Sequence, residues 1–345
     1  MSPFPTDLRA NVAVLLASAG IRAPILSIEP CLSGGNNRTY QVRTSAGTFL
    51  TKQYFRDERD TRDRLAAEHA FLSYAAAVSP DATPVPYASD QRTGMALHEF
   101  IDGTLLRAGE VRWEHVQAAL DFVTALNSPL ARVRAPTLPS AAEACFSLAQ
   151  HLALVSERMQ RLNDAPTSGK EDREARDFFR TLSSYWGTLT SRFARAAAGR
   201  GLELDETLET AQRCISPSDF GFHNALVAPN GRIRFIDFEY AGWDDPAKTA
   251  GDFFSQLALP VPGVLFHAFV NQLMACFARP HELVARANLL RPVYVVKWCC
   301  IALNVFLPEH LARRRFANPS LDETTLKCEQ LTKAQVLFET LQHIA

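Results

Sequence analysis

Hydrophobic and polar positions alternate in short runs along the first hundred residues, a pattern that predicts β-strands. The runs lie in ILSIEPCL, RTYQVRTSAGTFLTKQYF and GMALHEFI, and TSAG between two of them predicts a hairpin. Two stretches have helical spacing instead: an opening segment at about residues 5–19, and TRDRLAAEHAFLSYAAAV through Leu65, Leu72 and Tyr74. The pattern therefore predicts a small lobe of strands with one main internal helix, preceded by an N-terminal helix.

After IDGTLL the pattern changes to long helical segments. The third of these, DREARDFFRTLSSYWGTLTSRFARAAA, carries an apolar stripe from Phe178 to Phe193. Two short predicted strands, NALVAP and IRFIDFE, are joined by a Pro-Asn-Gly turn and interrupt the helices. The expected fold is α+β, with a lobe over 1–98, a linker over 99–103 and a mainly helical lobe over 104–345.

Composition and charge exclude several classes of protein. The 345 residues are 47% hydrophobic and carry 36 Lys plus Arg against 37 Asp plus Glu, so the chain lacks the basic field of a nucleic-acid binder. The apolar run PVYVVKWCCIALNVFLP is interrupted by Lys297 and Asn304 and predicts a buried helix rather than a membrane span. No signal-peptide pattern opens the chain, and its seven scattered cysteines do not suit a disulfide framework or a zinc site. We expect a cytoplasmic protein without a nucleic-acid or membrane partner.

Three polar side chains lie at close intervals in CISPSDFGFHNALV (Cys214–Val227) and the later FIDFEYAG. Asp219 precedes Asn224 by five positions, and Asp237 follows Asn224 by thirteen, at the end of a predicted strand. A carboxylate can orient an attacking hydroxyl, and amide and carboxylate oxygens are ligands that suit Mg²⁺. From these residues alone, two polar turns beside buried strands are the alternative.

Two upstream segments supply other parts that phosphoryl transfer from a nucleotide requires. LSGGNNRTYQV contains a turn whose backbone amides could approach a phosphate, and a plain hairpin turn is the alternative. That turn consists of Ser33, Gly34, Gly35, Asn36 and Asn37. Lys52 follows on the apolar strand FLTKQY, and Glu68 on the next helix could hold it on phosphates. The alternative for Lys52 is an exposed strand residue.

Together these segments resemble the protein-kinase-like superfamily, and within it the aminoglycoside phosphotransferase and choline-kinase-like small-molecule kinases. The resemblance rests on LSGGNNRTYQV, LTKQY, Glu68, LHEFIDG, SDFGFHNAL and IDFEYAGWDDPAKTAGDFF. These motifs lie within about residues 25–105 and 205–260, and the helical remainder matches only in type. The resemblance implies a bilobal kinase fold, ATP and Mg²⁺ as cofactors, and a small-molecule hydroxyl as acceptor.

The resemblance also implies the nucleotide-binding roles. The Ser33–Asn37 turn would cover the phosphates, Lys52 would bind the α- and β-phosphates, and Glu68 would hold Lys52. Backbone groups of Glu99, Phe100 and Ile101 would receive the adenine.

The catalytic roles implied by the resemblance fall on the segment around Asp219. Asp219 would be the catalytic base, and Asn224 and Asp237 would be Mg²⁺ ligands, while Asp252 would brace the fold. The family usually has His-Gly before this aspartate, where this chain has Pro217–Ser218. Because the missing histidine is usually a scaffold residue, the departure concerns packing more than chemistry.

Two further residues of this region have open roles. We interpret His223 as a hydrogen-bonded structural histidine, with contact to the substrate as the alternative. Glu239 is interpreted as structural, with a metal or water contact as the alternative.

The acceptor class follows only from the charge of the C-terminal part. Acidic residues there are accompanied by Arg291, Lys297 and Arg313–Arg315, so a strongly acidic pocket for a polycation is not evident. This favours a sugar, sugar-like or amino-alcohol metabolite over an aminoglycoside antibiotic. A catalytically inactive nucleotide-binding module is the other alternative. A protein kinase is disfavoured because no A-P-E-like segment follows Asp237, and a metal hydrolase would give the Lys52–Glu68 pair no purpose.

Overall fold

The computed structural model describes residues 8–31, 37–56, 62–107, 109–133, 135, 138–166, 168–317 and 321–344. The strands are β1 (Ile25–Cys31), β2 (Arg38–Thr44), β3 (Gly47–Gln53), β4 (Pro86–Asp90), β5 (Met95–Glu99), β6 (Thr104–Leu105), β7 (Cys214–Ser216), β8 (Ala225–Val227), β9 (Ile233–Phe235) and β10 (Gly242–Asp244). The helices are α1 (Leu8–Ser18), α2 (Arg64–Val78), α3 (Trp113–Leu126), α4 (Pro129–Val133), α5 (Leu148–Leu162), α6 (Lys170–Ala198), α7 (Pro246–Ser255), α8 (Phe266–Met274), α9 (Pro280–Leu303), α10 (Pro308–Ala317) and α11 (Glu323–Glu339). The predicted α+β fold, with an antiparallel sheet first and helices after it, is confirmed.

The N-terminal lobe is a five-stranded antiparallel sheet in the order β1-β2-β3-β5-β4. The predicted hairpin is present, with Thr44 of β2 opposite Gly47 of β3. Met95 and Leu97 of β5 pack in one apolar cluster with α1, whereas Ala96 packs with Leu65 of α2. Because side chains alternate along a strand, the two helices cover opposite faces of the sheet.

Lys52 lies on the face of the sheet that α2 covers. Its partner across the ladder is Ala96, and opposite residues in an antiparallel pair point to the same side. The alternative of an exposed strand lysine is therefore wrong, because Lys52 is only 6% exposed.

His98 lies two residues after Ala96 on β5 and is fully buried. Neither ring nitrogen has a hydrogen-bond partner among the described residues. Burial lowers the pKa of His98 to about 4, although the carboxylate of Glu68 acts in the opposite direction. The unfolded chain therefore binds a proton at this side chain between about pH 6.5 and pH 4, and the folded chain does not.

Stability should consequently fall as the pH drops from about 6.5 to about 4, by about 3 kcal/mol from this group alone. The His98→Leu variant should lose this part of the pH dependence, since leucine binds no proton in either state. Urea unfolding at a series of pH values measures the effect, with the exposed His281→Leu as matched control. If the free energy of unfolding fell equally with pH in the wild type and in His98→Leu, the lowered pKa would not belong to His98.

The C-terminal lobe packs its helices around α9. Helix α9 contacts α5, α6, α7, α8 and α11. A Cβ at Gly251 would lie 2.5 Å from the Tyr294 ring, so glycine permits the close approach of α7 to α9. The segment Pro280–Phe306 is long and apolar enough to cross a membrane by length and composition alone. Within it, 72% of an apolar 18-residue stretch is buried inside the protein. The prediction of a buried helix here is confirmed.

Stacked and tilted phenylalanine rings anchor the loop that follows β7. Phe220 lies 5.3 Å from Phe253 of α7 and 5.0 Å from Phe235 of β9, measured between ring centroids. Phe253 in turn stacks on Phe269 of α8 at 5.0 Å. The polar residues of this loop therefore project from an apolar base fixed by three elements.

Candidate active site

The sheet lobe contributes an ion pair between β3 and α2. Lys52 Nζ lies 2.7 Å from Glu68 Oε2, and the Tyr54 hydroxyl donates to the same oxygen at 2.6 Å. The other oxygen of Glu68 accepts the backbone N–H of Phe238 at 3.0 Å. The pair is therefore tied to the segment that carries Asp237.

The electrostatic surroundings keep both partners of this pair ionised. Burial by itself would lower the pKa of Lys52, but the carboxylates of Glu68, Asp237 and Glu239 together raise it above its ordinary value. Burial would raise the pKa of Glu68, and the Lys52 ammonium outweighs it and lowers that pKa. The site thus holds a permanent cation in the cleft between the sheet and the helical lobe.

Asp237 completes a line of charges with this cation. Its Oδ1 lies 2.6 Å from Lys52 Nζ, and 38% of its side chain is exposed. The backbone at Asp237 is left-handed, with φ of 67°, which is uncommon for a residue other than glycine. Such strain recurs at functional sites, where the surrounding structure holds it.

Asn224 is held beside Asp237 by the backbone. Strands β8 and β9 pair antiparallel, and the Ile236 N–H donates to the Asn224 carbonyl at 2.9 Å. The side-chain amide of Asn224 donates to the Asp219 carbonyl at 3.0 Å. This bond fixes the direction of the Asn224 side chain and does not use its oxygen.

Asp219 follows a strained lead-in. Ser218 and Asp219 both have left-handed backbone, with φ of 49° and 37°. The Ser218 N–H donates to Ser216 Oγ at 3.1 Å, and Thr249 Oγ1 donates to the same oxygen at 2.9 Å. Hydroxyl groups thus brace the turn where the related motif has His-Gly, and they leave the Asp219 carboxylate 39% exposed.

The donor set fits a Mg²⁺ ion that also binds nucleotide phosphates. Mg²⁺ is typically bound by one or two carboxylates and phosphate oxygens rather than by an all-protein cage. The described residues include no group of three or more His, Cys, Asp or Glu side chains suited to a metal. Asn224 Oδ1 and the exposed part of Asp237 supply two hard oxygens, which suits a shared site of that kind.

Glu239 connects three segments around the cleft. Its Oε2 accepts from Asn37 Nδ2 at 2.7 Å, and its Oε1 accepts from Arg64 Nη1 at 3.0 Å. Burial raises the pKa of Glu239, and Lys52 opposes this effect. Both carboxylate oxygens are thus already bonded within the protein, which favours the structural interpretation over a metal contact.

Of the predicted phosphate-binding turn, Ser33, Gly34, Gly35 and Asn36 lie outside the described residues. Asn37 is described, and besides Glu239 it binds the Phe55 N–H through its Oδ1 at 3.1 Å. The C-terminal end of the turn is therefore hydrogen-bonded to Glu239, which lies two positions after Asp237.

The predicted adenine-binding segment begins at the end of β5. The Glu99 N–H donates to the Val85 carbonyl at 2.9 Å, and its carboxylate pairs with Arg234 at 2.7 Å. No described residue accepts a hydrogen bond from the backbone N–H of Phe100 or Ile101. Amides of these two residues thus remain for a ligand, whereas that of Glu99 is engaged.

A family model described as the phosphotransferase enzyme family matches residues 27–255, which is well over half of the chain. The chain belongs to this family. It is therefore an enzyme of the phosphotransferase class, and the prediction of a phosphotransferase acting on an alcohol group is confirmed. A search of curated proteins found no significant match to the chain.

Solved structures show the same kinase-like fold. A choline/ethanolamine kinase family protein from Mesorhizobium loti is 18% identical, with a TM-score of 0.58 over 96% of this chain and 95% of the other. Choline kinase LicA from Streptococcus pneumoniae is 13% identical, with a TM-score of 0.59 over 96% and 99%. A spectinomycin phosphotransferase in complex with ADP and spectinomycin is 11% identical, with a TM-score of 0.52 over 97% and 100%. At these identities the likeness establishes the fold.

His223 does not have the hydrogen bonds of a structural histidine. Its Nε2 lies 3.4 Å from Asp219 Oδ1, which is an ion-pair distance without hydrogen-bond geometry. Its Nδ1 is buried and has no partner among the described residues. Our interpretation of His223 as a hydrogen-bonded structural residue is therefore wrong.

Asp252 braces the helical lobe, as the resemblance implies. Its carboxylate accepts from Lys297 Nζ at 2.8 Å and from Trp298 Nε1 at 2.7 Å, which joins α7 to α9. Lys248 of α7 lies 3.4 Å from the same carboxylate. These contacts account for Lys297 and Trp298 without a ligand.

The arginine-rich segment near the C-terminus is exposed where it is described. Arg315 pairs with Glu323, and Arg314 is exposed. A cavity of about 770 Å³ lies between α6, α8 and α9, and its lining includes none of the predicted site residues.

Sequence reasoning missed four residues that bind the site together. Tyr54 carries a signal, because it follows the end of β3 two positions after Lys52, a spacing that in an extended chain directs both side chains to the same face. Arg62 donates to the backbone carbonyls of Ser140, Glu239 and Ala241. This residue, like Arg64 and Arg234, pairs with groups more than 70 positions away, and local patterning contains no signal for such pairs.

Proposed function

We propose that the protein is an ATP-dependent kinase that transfers the γ-phosphoryl group to a hydroxyl of a small molecule. The acceptor is a sugar, a sugar-like compound or an amino alcohol. The observation that carries the proposal is the line of charges from the buried Glu68 and Lys52 to the partly exposed Asp237. It places a fixed cation next to a carboxylate oxygen of Asp237, in the segment that is hydrogen-bonded to Asn224, an arrangement that suits a metal-bound polyphosphate.

Lys52 would bind the α- and β-phosphates of the nucleotide, with Glu68 holding its ammonium group. Both partners lie on rigid elements, so the cation costs no reorganisation when phosphate binds. The amides of Phe100 and Ile101 would receive the adenine, and the Ser33–Asn37 turn would cover the phosphates. Residues 99–103 would then form the hinge between a lobe over 1–98 and a lobe over 104–345.

Asn224 and Asp237 would hold Mg²⁺. The ion neutralises the charge on the transferring phosphoryl group when it is bound. The bond from Asn224 Nδ2 to the Asp219 carbonyl directs the Asn224 oxygen, and the Lys52 ammonium directs one oxygen of Asp237.

Asp219 would orient the acceptor hydroxyl and take its proton as the oxygen attacks the γ-phosphorus. The partly exposed carboxylate is open to an incoming hydroxyl, while its backbone is held by Ser216 and Asn224. Positioning of this kind supplies most of the catalysis in phosphoryl transfer.

The acceptor class is supported from two sides. Similar solved structures include a choline kinase and a spectinomycin phosphotransferase with ADP, so an adenine nucleotide and a hydroxyl acceptor suit the fold. The mixed charge of the C-terminal part disfavours a polycation, which places an aminoglycoside antibiotic second.

ADP release tests the proposal directly. Sugars, nucleosides, choline, ethanolamine, aminoglycosides and spectinomycin should be assayed with Mg·ATP in a coupled assay. At least one acceptor should stimulate ADP release by the wild type, and the stimulation should fall by a factor of about 10² or more in Asp219→Asn. Calorimetric binding of Mg·ATP without turnover on any acceptor would instead favour an inactive nucleotide-binding module.

A further inference from the structure

We propose that His223 binds the acceptor through a hydroxyl next to the reacting one, which makes vicinal hydroxyls part of the recognised substrate. The inference rests on the proposed kinase function and adds a specificity-determining residue to it. The reacting hydroxyl must approach the Asp219 carboxylate to within hydrogen-bond distance. Because His223 Nε2 lies 3.4 Å from Asp219 Oδ1, an oxygen on the neighbouring carbon comes within reach of this nitrogen.

The position of the imidazole is set by packing rather than by hydrogen bonds. A Cβ at Gly221 would lie 2.8 Å from His223 Nδ1 and 3.1 Å from the Gln256 side chain. The ring therefore fits against Gly221 only because that residue lacks a side chain. The 3₁₀ turn Phe222–Asn224 that carries the ring is anchored by Phe222, which is fully buried.

No hydrogen bond within the described structure engages this ring, and its Nε2 makes only the 3.4 Å ion-pair contact with Asp219 Oδ1. The amide of Gln256, whose side chain also borders Gly221, is engaged elsewhere: its oxygen accepts from the N–H groups of Ala258 and Leu259, and its nitrogen donates to the Leu259 carbonyl. Nε2 therefore remains available to a ligand that approaches the partly exposed carboxylate of Asp219.

Only one of the two ring nitrogens is open to a ligand. Nδ1 is buried against Gly221, whereas Nε2 faces the partly exposed Asp219 carboxylate. The His223 side chain is 21% exposed. A hydroxyl can donate to or accept from an imidazole nitrogen at this place, whereas the quaternary ammonium of choline has neither an N–H nor a lone pair.

The first test compares acceptors in the wild type. Sugars and polyols with vicinal hydroxyls should be phosphorylated with a higher kcat/KM than choline, and removal of the neighbouring hydroxyl, as in a deoxy sugar, should lower it roughly tenfold. A wild type that prefers choline would overturn the role of His223 and leave the kinase function intact. A wild type without turnover on any acceptor would overturn the kinase function and, with it, this inference.

The second test combines the His223→Ala variant with removal of the neighbouring hydroxyl from the acceptor, in the manner of a double-mutant cycle. His223→Ala should lower kcat/KM for the vicinal-hydroxyl acceptor roughly tenfold and leave the KM for Mg·ATP unchanged. On the deoxy analogue it should have no further effect, because the contact is already missing. His223→Asn, which retains an N–H donor, should restore part of the loss.

Two further outcomes separate positioning from a general structural role. Gly221→Ala should reproduce the acceptor defect, since the added methyl displaces the ring without removing it, and the exposed His267→Ala should behave as wild type. If His223→Ala lowered kcat/KM equally on the vicinal-hydroxyl acceptor and on its deoxy analogue, or raised the KM for Mg·ATP, the proposal would be overturned.

Discussion

Asp219→Asn is expected to lower kcat for phosphoryl transfer by a factor of about 10² to 10⁴. Asparagine has the same shape but cannot take the proton of the acceptor hydroxyl. The backbone carbonyl of residue 219, which accepts from Asn224 Nδ2, is unchanged, so the metal ligand should keep its direction. Steady-state kinetics with saturating Mg·ATP and acceptor measure the effect.

The effect should be confined to the chemical step. The KM for Mg·ATP should change little, since Asp219 is not placed on the phosphates or the metal. Asp205→Asn, at an exposed position, is the matched control and should retain full activity. Undiminished turnover of Asp219→Asn would refute the assigned role of this carboxylate.

Lys52→Met is expected to affect both stability and activity. The substitution leaves the Glu68 carboxylate buried without its cation, which typically costs about 3–5 kcal/mol. It also removes the cation that pairs with both Glu68 and Asp237, so nucleotide turnover should fall about as far as in Asp219→Asn. Urea unfolding and coupled ADP release measure the two losses.

A second substitution separates these two losses. Lys52→Met combined with Glu68→Gln removes the uncompensated charge, keeps an amide oxygen for the Phe238 N–H, and places the amide nitrogen where the Tyr54 hydroxyl can accept from it. The double variant should recover most of the stability and none of the activity. Recovery of activity along with stability would show that Lys52 has only a structural role.

The sequence was sufficient to predict the N-terminal sheet because its pattern is local. Alternation over β2 and β3 and the intervening TSAG determine the hairpin, whereas the burial of Lys52 stays open from the pattern alone because it depends on the packing of α2 on the sheet. The Asp219, Asn224 and Asp237 spacing was informative because β8 and β9 form a short hairpin, which brings positions thirteen apart together.

The remaining parts of the site depend on contacts between distant segments. Glu239 binds Asn37 and Arg64, which are 202 and 175 positions away, and no spacing rule connects them. The position of His223 likewise depends on the space at Gly221 and on Gln256 from another helix end. Such placements follow from the packing of whole elements, which a single sequence does not specify.

A crystal structure with Mg²⁺ and a non-hydrolysable ATP analogue would show whether the nucleotide binds at the Lys52–Asp237 line of charges. We expect the ion on the oxygens of Asn224 and Asp237, and Lys52 on the phosphates while it is still paired with Glu68. The terminal phosphate should lie next to Asp219. A nucleotide bound elsewhere, or a metal ion away from Asn224 and Asp237, would refute the proposed site.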